Sequence, residues 1–154
     1  PLSKVPCLIS LDGVPLFDSP VICEYLDTIG SALPLFPAVG TPERIRALRY
    51  QAMADGILDA AVGRRMQMPW PQDEGRRKFD ARQKAAIERT LDQLEADPPT
   101  GFSDIGTIAV GCALGYLDFR FWHEPWRPGR QRLAAWFETV SQLPPMARTV
   151  PAEP

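Results

Sequence analysis

Apolar positions along this chain follow two periods, one short and strand-like at the start and one helical through the rest. Cys7 to Leu11 is a run of apolar and branched residues typical of a strand, and Val14 to Phe17 predicts a second strand. Asp12-Gly13 between them favours a two-residue hairpin turn. A lone hairpin is only marginally stable in water, so we expect these strands to need neighbours from a partner or from further sequence.

The first helix is predicted immediately after the hairpin, where Ser19 suits the N-cap and Pro20 the first helical position. Apolar residues then recur at helical spacing. Residues 34–40 contain two prolines and end in glycine, so they cannot continue a helix. We therefore expect a first unit over residues 1–33, a linker over 34–40 and a second unit over 41–154.

The second unit is predicted to be helical throughout. Its first helix has apolar residues three, four and seven positions apart, which predicts one packed face. These apolar positions are Ile45, Leu48, Ala52, Met53, Gly56, Ile57, Ala60 and Ala61. The predicted helices span residues 41–66, 73–95, 104–117 and 132–140, and a proline-rich tail at the surface follows them.

The helix over 104–117 is apolar on every side, which is typical of a helix buried at the centre of a bundle. Gly111 and Gly115 lie one turn apart, and we expect them to let another backbone approach closely. Asp104 suits the N-cap, and Thr107 three positions on completes a variant of the capping box.

Composition narrows the class of protein. The 154 residues are 45% hydrophobic, enough for a core, and 17 basic residues nearly balance 19 acidic ones for a net charge of -2. A nucleic-acid binder needs a concentrated basic face, so we expect no nucleic-acid partner. The longest apolar run, residues 105–117, is about half as long as a membrane span requires, so we expect no membrane partner. The three cysteines form no CxxC motif, which argues against a metal or dithiol site and favours a reducing compartment, the cytoplasm.

Two short stretches near the start are candidates for ligand binding. Val5-Pro6 is either the start of an edge strand or a cis peptide that turns the backbone N–H and C=O of Val5 outward. Asp18-Ser19 is either a helix cap alone or a cap that also receives a ligand carboxylate, with Asp18 taking a ligand ammonium. The second alternative in each case predicts a cradle for an amino-acid-like ligand.

Other residues with chemical capability have simpler structural explanations. His123 is the only histidine, and we interpret it as structural. The basic runs Arg64-Arg65 and Arg76-Arg77-Lys78 are interpreted as solvated helix faces. An aromatic cluster is expected to pack in the core and at helix ends, with part of it available to wall an apolar substrate pocket. It comprises Tyr116, Phe119, Phe121, Trp122 and Trp126.

Four motifs, in the expected order, resemble the glutathione S-transferase superfamily and its bacterial branch. Residues 1–8 resemble the NPLGKVP-L signature of the superfamily, and residues 17–26 resemble its acid–Ser–x–x–Ile–x–x–Tyr–Leu segment. Residues 54–59 and 108–120 resemble the bacterial branch. The resemblance implies an α+β fold, in which a partial thioredoxin-like domain of two strands and one helix precedes an all-α helical domain.

The same resemblance implies a glutathione transferase, which activates the glutathione thiol for attack on a hydrophobic electrophile, as in detoxification, and forms a cytoplasmic homodimer. Val5 before a cis Pro6 would pair with the cysteinyl part of glutathione. Asp18 and Ser19 would hold its γ-glutamyl end. Asp55 resembles an acid that, in several classes, reaches this same end across the dimer interface.

The resemblance also places Lys4 near the glycyl carboxylate of glutathione. It implies that the catalytic Ser, Cys or Tyr of the family precedes Pro1, and we expect Cys7 to pack inward rather than to replace that group. The alternative function is a non-catalytic glutathione-binding or protein-interaction member of the same fold. A third alternative is an unrelated helical adaptor that does not bind glutathione.

Overall fold

A hairpin and six helices make up residues 4–151, the part of the chain that the structure, a computed structural model, describes. The motif positions Pro1, Leu2 and Ser3 lie outside the described residues. The α+β prediction is confirmed, since two strands and one helix precede a bundle of helices. In chain order the elements are β1 Leu8–Ile9, β2 Pro15–Leu16, α1 Ser19–Asp27, α2 Pro42–Gln67, α3 Glu74–Ala96, α4 Ile105–Arg120, α5 Gln131–Ser141 and α6 Pro144–Ala147.

The hairpin turn differs from the predicted two-residue turn. β1 pairs with β2 in antiparallel register, with Leu8 opposite Leu16. The N–H of Ser10 donates to the carbonyl of Val14 at 2.9 Å, and the N–H of Gly13 donates to the carbonyl of Ser10 at 3.0 Å. The loop therefore has three residues, and it closes with Gly13 in the left-handed region at φ 83°. Glycine enters this region without steric cost, which makes the longer loop accessible.

Helix α1 begins one residue earlier than predicted, and Asp18 rather than Ser19 is its N-cap. The carbonyl of Asp18 accepts from the N–H of Ile22 at 3.0 Å, while the Asp18 side chain makes no capping bond. Ser19 is the first helical residue, and Pro20 follows it in the same turn. Proline fits this turn because its missing N–H would have no intrahelical partner there. The predicted capping role of Ser19 is wrong.

Residues 34–40 are irregular, as predicted, but they are bonded to the parts on both sides. The Asp27 carboxylate, at the end of α1, accepts from the backbone N–H of Leu35 at 2.7 Å and of Phe36 at 3.0 Å. The carbonyl of Leu35 accepts from the N–H of Ile105, at the start of α4, at 2.9 Å. The Phe36 ring is buried against α2 and α4. These contacts fasten α1 to the N-terminal end of the bundle, and the division into two units stays a prediction.

Helix α2 distributes its apolar residues over two faces. Ile57, Ala60 and Ala61 are buried, as the predicted stripe requires. Ile45 is 67% exposed and Leu48 also faces solvent, so the single stripe is wrong. Intervals of three, four and seven positions fit either face, and only the placement of α3 and α4 decides which one is covered. The buried apolar residues of α2 are Ala47, Tyr50, Ala54, Ile57, Ala60 and Ala61.

Helix α4 is buried in the bundle, as its all-round apolar character predicts. Val110, Ala113 and Leu114 belong to the main core, which α2, α3, α4 and α5 share. The predicted capping box is confirmed, because Asp104 Oδ1 accepts from the N–H of Thr107 at 2.9 Å and Thr107 Oγ1 accepts from the N–H of Asp104 at 3.3 Å. Within residues 4–151, no helix has the length and apolarity that crossing a membrane requires.

The close backbone approach on α4 occurs at Gly106 and not at the predicted Gly111 and Gly115. A Cβ atom at Gly106 would lie 2.2 Å from the carbonyl oxygen of Ala47, so α2 and α4 meet backbone to backbone at their N-terminal ends. At the other two glycines the nearest atoms belong to aromatic and methionine side chains. The spacing of small residues does not indicate where along the pair the two helices converge.

Candidate functional site

The residues predicted to bind a ligand near the start of the chain lie at one end of the hairpin. The Val5–Pro6 peptide bond is cis, which confirms the cis alternative for this stretch, and the Phe17–Asp18 bond is cis as well. Lys4, Val5 and Pro6 are all exposed, Val5 at 94%. Because β1 and β2 are antiparallel, the segment that ends at Pro6 and the start of α1 lie at the same end of the hairpin.

The N-terminus of α1 has the properties of a seat for an anionic group. Asp18 and Ser19 are both exposed there, and the Asp18 side chain does not cap the helix. The first N–H groups of a helix have no partner within the helix, and they carry a partial positive charge. A ligand carboxylate can accept from these N–H groups, and the Ser19 hydroxyl adds a further donor.

Asp55, from the middle of α2, faces the same region. Its pKa is raised above the ordinary value by burial, then by the negative charge of Asp18 and then by that of Asp59. The Asp18 carboxylate at the start of α1 therefore interacts electrostatically with Asp55 of α2. The reach of Asp55 across a dimer interface, which the sequence resemblance implies, stays a prediction.

This arrangement favours a ligand that carries a positive and a negative group side by side. Asp18 and Asp55 concentrate negative charge, which a ligand ammonium would neutralise. The helix N-terminus beside them offers N–H donors to a ligand carboxylate. An α-amino acid group has these two charges on one carbon. The site is therefore complementary to the end of an amino acid or peptide that carries both charges.

Two thiols lie near this site, and a third lies on the hairpin. Burial raises the pKa of Cys23, and the charge of Asp55 raises it further. Partial desolvation likewise raises the pKa of the Cys112 thiol, and Cys23 makes a smaller contribution to this rise. Cys112 nevertheless remains accessible to solvent. Thiols with raised pKa values are neutral at pH 7 and are poor nucleophiles. Cys7 is exposed, so the prediction that it packs inward is wrong.

An apolar cavity of about 750 Å³ lies beside Cys112, between α4, α5 and the C-terminal segment. Tyr116 and Phe119 of the predicted aromatic cluster contribute to its wall, with Phe137, Met146 and Val150. The pKa of Cys112 is also raised by Cys23, and that of Cys23 by Asp55, so these three groups interact electrostatically between the cavity and α2. The sequence does not indicate this grouping of residues, because they come from α1, α2, α4, α5 and the C-terminal segment, which are far apart in the chain.

The remaining members of the aromatic cluster lie elsewhere. Phe121 and Trp126 are buried in the main core, and Trp122 is exposed. His123 is partly exposed, its ring lies edge-on to Trp122, and its Nε2 is 3.9 Å from a Glu124 carboxylate oxygen. Among residues 4–151 there is no cluster of three or more metal-ligating side chains.

Arg64 contradicts the prediction that the basic runs are solvated faces. It is only 8% exposed, and its guanidinium lies over the ring of Phe121. It donates to Asp80 at 2.8 Å and to Glu124 at 2.8 Å. Hydrogen bonding from Arg64 outweighs the opposing effect of burial and, with a smaller contribution from Lys84, lowers the pKa of Glu124 to about 2. The sequence carries no signal for this cluster, because its charges come from three elements.

The chain is similar to proteins of one family. No family model matches it. An uncharacterized GST-like protein of Escherichia coli K12, YibF, is 34% identical over 156 residues, which cover 98% of this chain and 77% of that protein. The crystal structure of a glutathione transferase family member from Pseudomonas fluorescens Pf-5, with bound S-(propanoic acid)-glutathione, matches with a TM-score of 0.90 at 39% identity, over 99% of this chain and 80% of that chain. A glutathione S-transferase from Methylobacillus flagellatus KT with bound GSH matches with a TM-score of 0.86 at 34% identity, over 98% of this chain and 77% of that chain.

Proposed function

The chain belongs to the glutathione S-transferase family, and from this premise we propose that it binds glutathione at the start of α1 and conjugates it to an apolar electrophile. The prediction of this family from sequence motifs is confirmed. Solved relatives carry glutathione or a glutathione derivative, which supports glutathione as the ligand of this chain.

The observation that carries the proposal is the exposed N-terminus of α1, where the Asp18 side chain makes no capping bond and repels Asp55 of α2. Two acids in close proximity repel each other, and this repulsion offers the fold no stability. A ligand ammonium between them would relieve the repulsion, while the adjacent N–H groups receive the ligand carboxylate. The γ-glutamyl end of glutathione carries both groups, which makes it the natural occupant.

The other predicted ligand-binding residues have consistent positions around this end. Ser19, the first residue of α1, would donate its hydroxyl to the γ-glutamyl carboxylate. Val5, exposed at the same end of the hairpin, would offer its backbone to the cysteinyl part, with Pro6 shaping the turn. Lys4 would approach the glycyl carboxylate. Asp55 would act in the site of its own chain, and its reach across a dimer interface stays a prediction.

The electrophile would occupy the apolar cavity beside Cys112. A volume of about 750 Å³ is ample for a small aromatic molecule, since small-molecule sites measure roughly 300–1,000 Å³. The walls from Tyr116, Phe119 and Phe137 favour an apolar, flat substrate over a charged one. The glutathione thiolate, after losing its proton to solvent, would attack the electrophilic carbon held there, and the new C–S bond would form as a leaving group such as chloride departs with its bonding electrons.

Two further features support the proposed assembly and location. The exposed apolar face of α2, with Ile45 and Leu48, supports a homodimer, because burying that face against a second copy removes it from water. The three cysteines are unpaired, which supports a reducing compartment such as the cytoplasm.

The test of this function measures glutathione binding by calorimetry and conjugation of glutathione to a chloronitrobenzene in one set of variants. Asp18→Asn and Ser19→Ala each remove a charge-assisted bond worth about 1.5–3 kcal/mol, so we expect the Kd for glutathione to rise about tenfold or more. Asp12→Asn is the matched control, because it removes one negative charge from the same hairpin and keeps an acceptor for the hydroxyl of Ser10.

Equal weakening by Asp12→Asn and Asp18→Asn would exclude the proposed site, since net charge alone would then explain the effect. Glutathione binding without conjugation by the wild-type protein would favour the non-catalytic alternative. Failure of the wild-type protein to bind glutathione at all would refute both forms of the function.

A further inference from the structure

A second cavity, of about 380 Å³, lies where the end of α2, the start of α3 and the loop after α4 meet. Arg64, which lines it, is about 13 Å along the axis of α2 from Asp55. The cavity is therefore separate from the proposed glutathione site. Its volume lies within the range of small-molecule clefts, roughly 300–1,000 Å³.

Basic side chains outnumber carboxylates around this cavity, which is lined by Arg64, Arg76, Arg77 and Lys84 against Asp80 and Glu124. Both carboxylates are already engaged by the buried Arg64. Glu124 also pairs with Lys84 at 3.0 Å. The positive charges of Arg64 and Lys84 balance the negative charges of Asp80 and Glu124. Arg76 and Arg77 therefore account for the excess positive charge around the cavity.

Arg76 and Arg77 are held at the cavity by backbone carbonyls and not by any carboxylate of the described residues. Their guanidinium groups donate to the backbone carbonyls of Trp70 and Gln72, in the turn between α2 and α3. Within residues 4–151 neither forms an ion pair with a carboxylate. Carbonyl bonds use only some of the five N–H donors of a guanidinium, so donors remain for a ligand. Both arginines also lie in the first turn of α3, where the helix dipole disfavours a cation.

We propose that this cavity binds a small organic anion whose phosphate or carboxylate group is held by Arg76 and Arg77. The planar fork of a guanidinium matches two oxygens of either group. Met68, Ala81 and Phe121 provide an apolar wall for the rest of the molecule. The ligand class is thus a phosphate monoester or a carboxylic acid with a compact apolar part, rather than a bare inorganic ion.

The test uses the whole chain and three probes, which are phenyl phosphate, benzoate and inorganic phosphate, at constant ionic strength. Binding is followed by backbone amide chemical shifts and by thermal unfolding. For phenyl phosphate or benzoate we expect saturable shifts at residues 72–84 and 121–124, with a Kd below about 10 mM. Inorganic phosphate should bind at least about tenfold more weakly, because it makes no contact with the apolar wall.

Two double variants separate a specific site from net charge. Arg76→Gln/Arg77→Gln should raise the Kd of the better probe at least about tenfold. Arg82→Gln/Arg89→Gln removes the same charge from exposed positions on the same helix and should leave the Kd unchanged. Arg76→Lys/Arg77→Lys keeps the charge without the planar fork and should bind with intermediate affinity.

The wild-type shifts decide the question even if a variant fails to fold. Shifts that do not saturate, or that appear all over the surface, would overturn the proposal. Equal weakening by the two glutamine double variants would overturn it as well. Glutathione binding should be unaffected by either double variant, so failure here and failure of the proposed glutathione site give different results.

Discussion

Replacing Glu124 with glutamine tests the idea that the ion cluster around Arg64 stabilises the fold. The Glu124 carboxylate accepts from Arg64 through both guanidinium Nη atoms, at 2.8 and 3.2 Å, and from Lys84 Nζ at 3.0 Å. Glutamine has nearly the same shape but no charge. The buried guanidinium would then retain Asp80 as its only charged partner among the described residues.

The magnitude follows from the pKa of Glu124, which falls from an ordinary 4.5 to about 2. At about 1.36 kcal/mol for each pKa unit, this difference corresponds to an upper limit of about 3.4 kcal/mol. The Glu124 side chain is 27% exposed, and water screens part of the interaction. We therefore expect the variant to lose about 2 kcal/mol of unfolding free energy at pH 7.

The pH dependence has a definite direction. A carboxyl group with a lowered folded-state pKa stabilises the fold above its unfolded pKa, and that contribution is lost as the pH falls through the folded-state value. The difference between wild type and Glu124→Gln should therefore be nearly constant from pH 7 to about 5 and should shrink by about half at pH 3.5. Other carboxyl groups titrate in the same range, but they are common to both proteins and cancel in the difference.

Urea unfolding followed by circular dichroism, in buffers free of phosphate, measures this difference. Glu74→Gln is the matched control, because Glu74 pairs with Lys78 at the surface with both side chains about three-quarters exposed. An exposed pair of this kind contributes about 0.3–0.5 kcal/mol. A loss at Glu124 no larger than that of the control, or a difference that stays the same between pH 7 and pH 3.5, would refute the reasoning.

Two further predictions concern packing and assembly. Gly106→Ala should lower the unfolding free energy by about 2 kcal/mol or more, because the new Cβ would lie 2.2 Å from the carbonyl oxygen of Ala47. Gly63→Ala is the control and should be neutral or stabilising, because its Cβ meets only the ring of Phe79, at 3.4 Å. Equal losses of stability in urea unfolding would contradict the close approach of α2 and α4 at Gly106. Ile45→Glu should raise the dimer dissociation constant about tenfold or more in sedimentation equilibrium, because it places a charge on the exposed apolar face of α2. Val39→Glu is the control in the linker and should leave the dissociation constant unchanged. A wild-type protein that is monomeric at all concentrations would exclude the dimer.

Local chemistry explains what could be predicted within the helices. Asp104 and Thr107 cap α4 as their spacing indicates, because a capping box involves atoms only three residues apart. The burial of α4 follows from its lack of a polar face. The prediction of a two-residue turn at Asp12-Gly13 is wrong. Hydrogen bonds of the Ser10 backbone with Gly13 and Val14 close a three-residue loop instead, and Gly13 lies in the left-handed region.

Family motifs carried the prediction of the ligand further than single residues did. Neither Asp18 nor Ser19 distinguishes a helix cap from a ligand site, because both uses need the same short polar side chain at the same position. Asp18, and not Ser19, occupies the N-cap position of α1, and its side chain makes no capping hydrogen bond. The site residues therefore stay a prediction, whereas the account of Ser19 as the helix cap is wrong.

The amino-acid sequence by itself determined the main helices, the capping box of α4, the pairing of two strands before α1 and membership of the family. It could not determine which face of α2 is covered, that Gly106 rather than Gly111 meets another backbone, or that Arg64 is buried. Nor could it show that Asp55 is partly desolvated and repelled by Asp18. The features that the sequence determined depend on residues within one or two helical turns of each other. The contacts that it could not determine depend on distances between elements far apart in the chain, and only the packing of the whole bundle sets those distances.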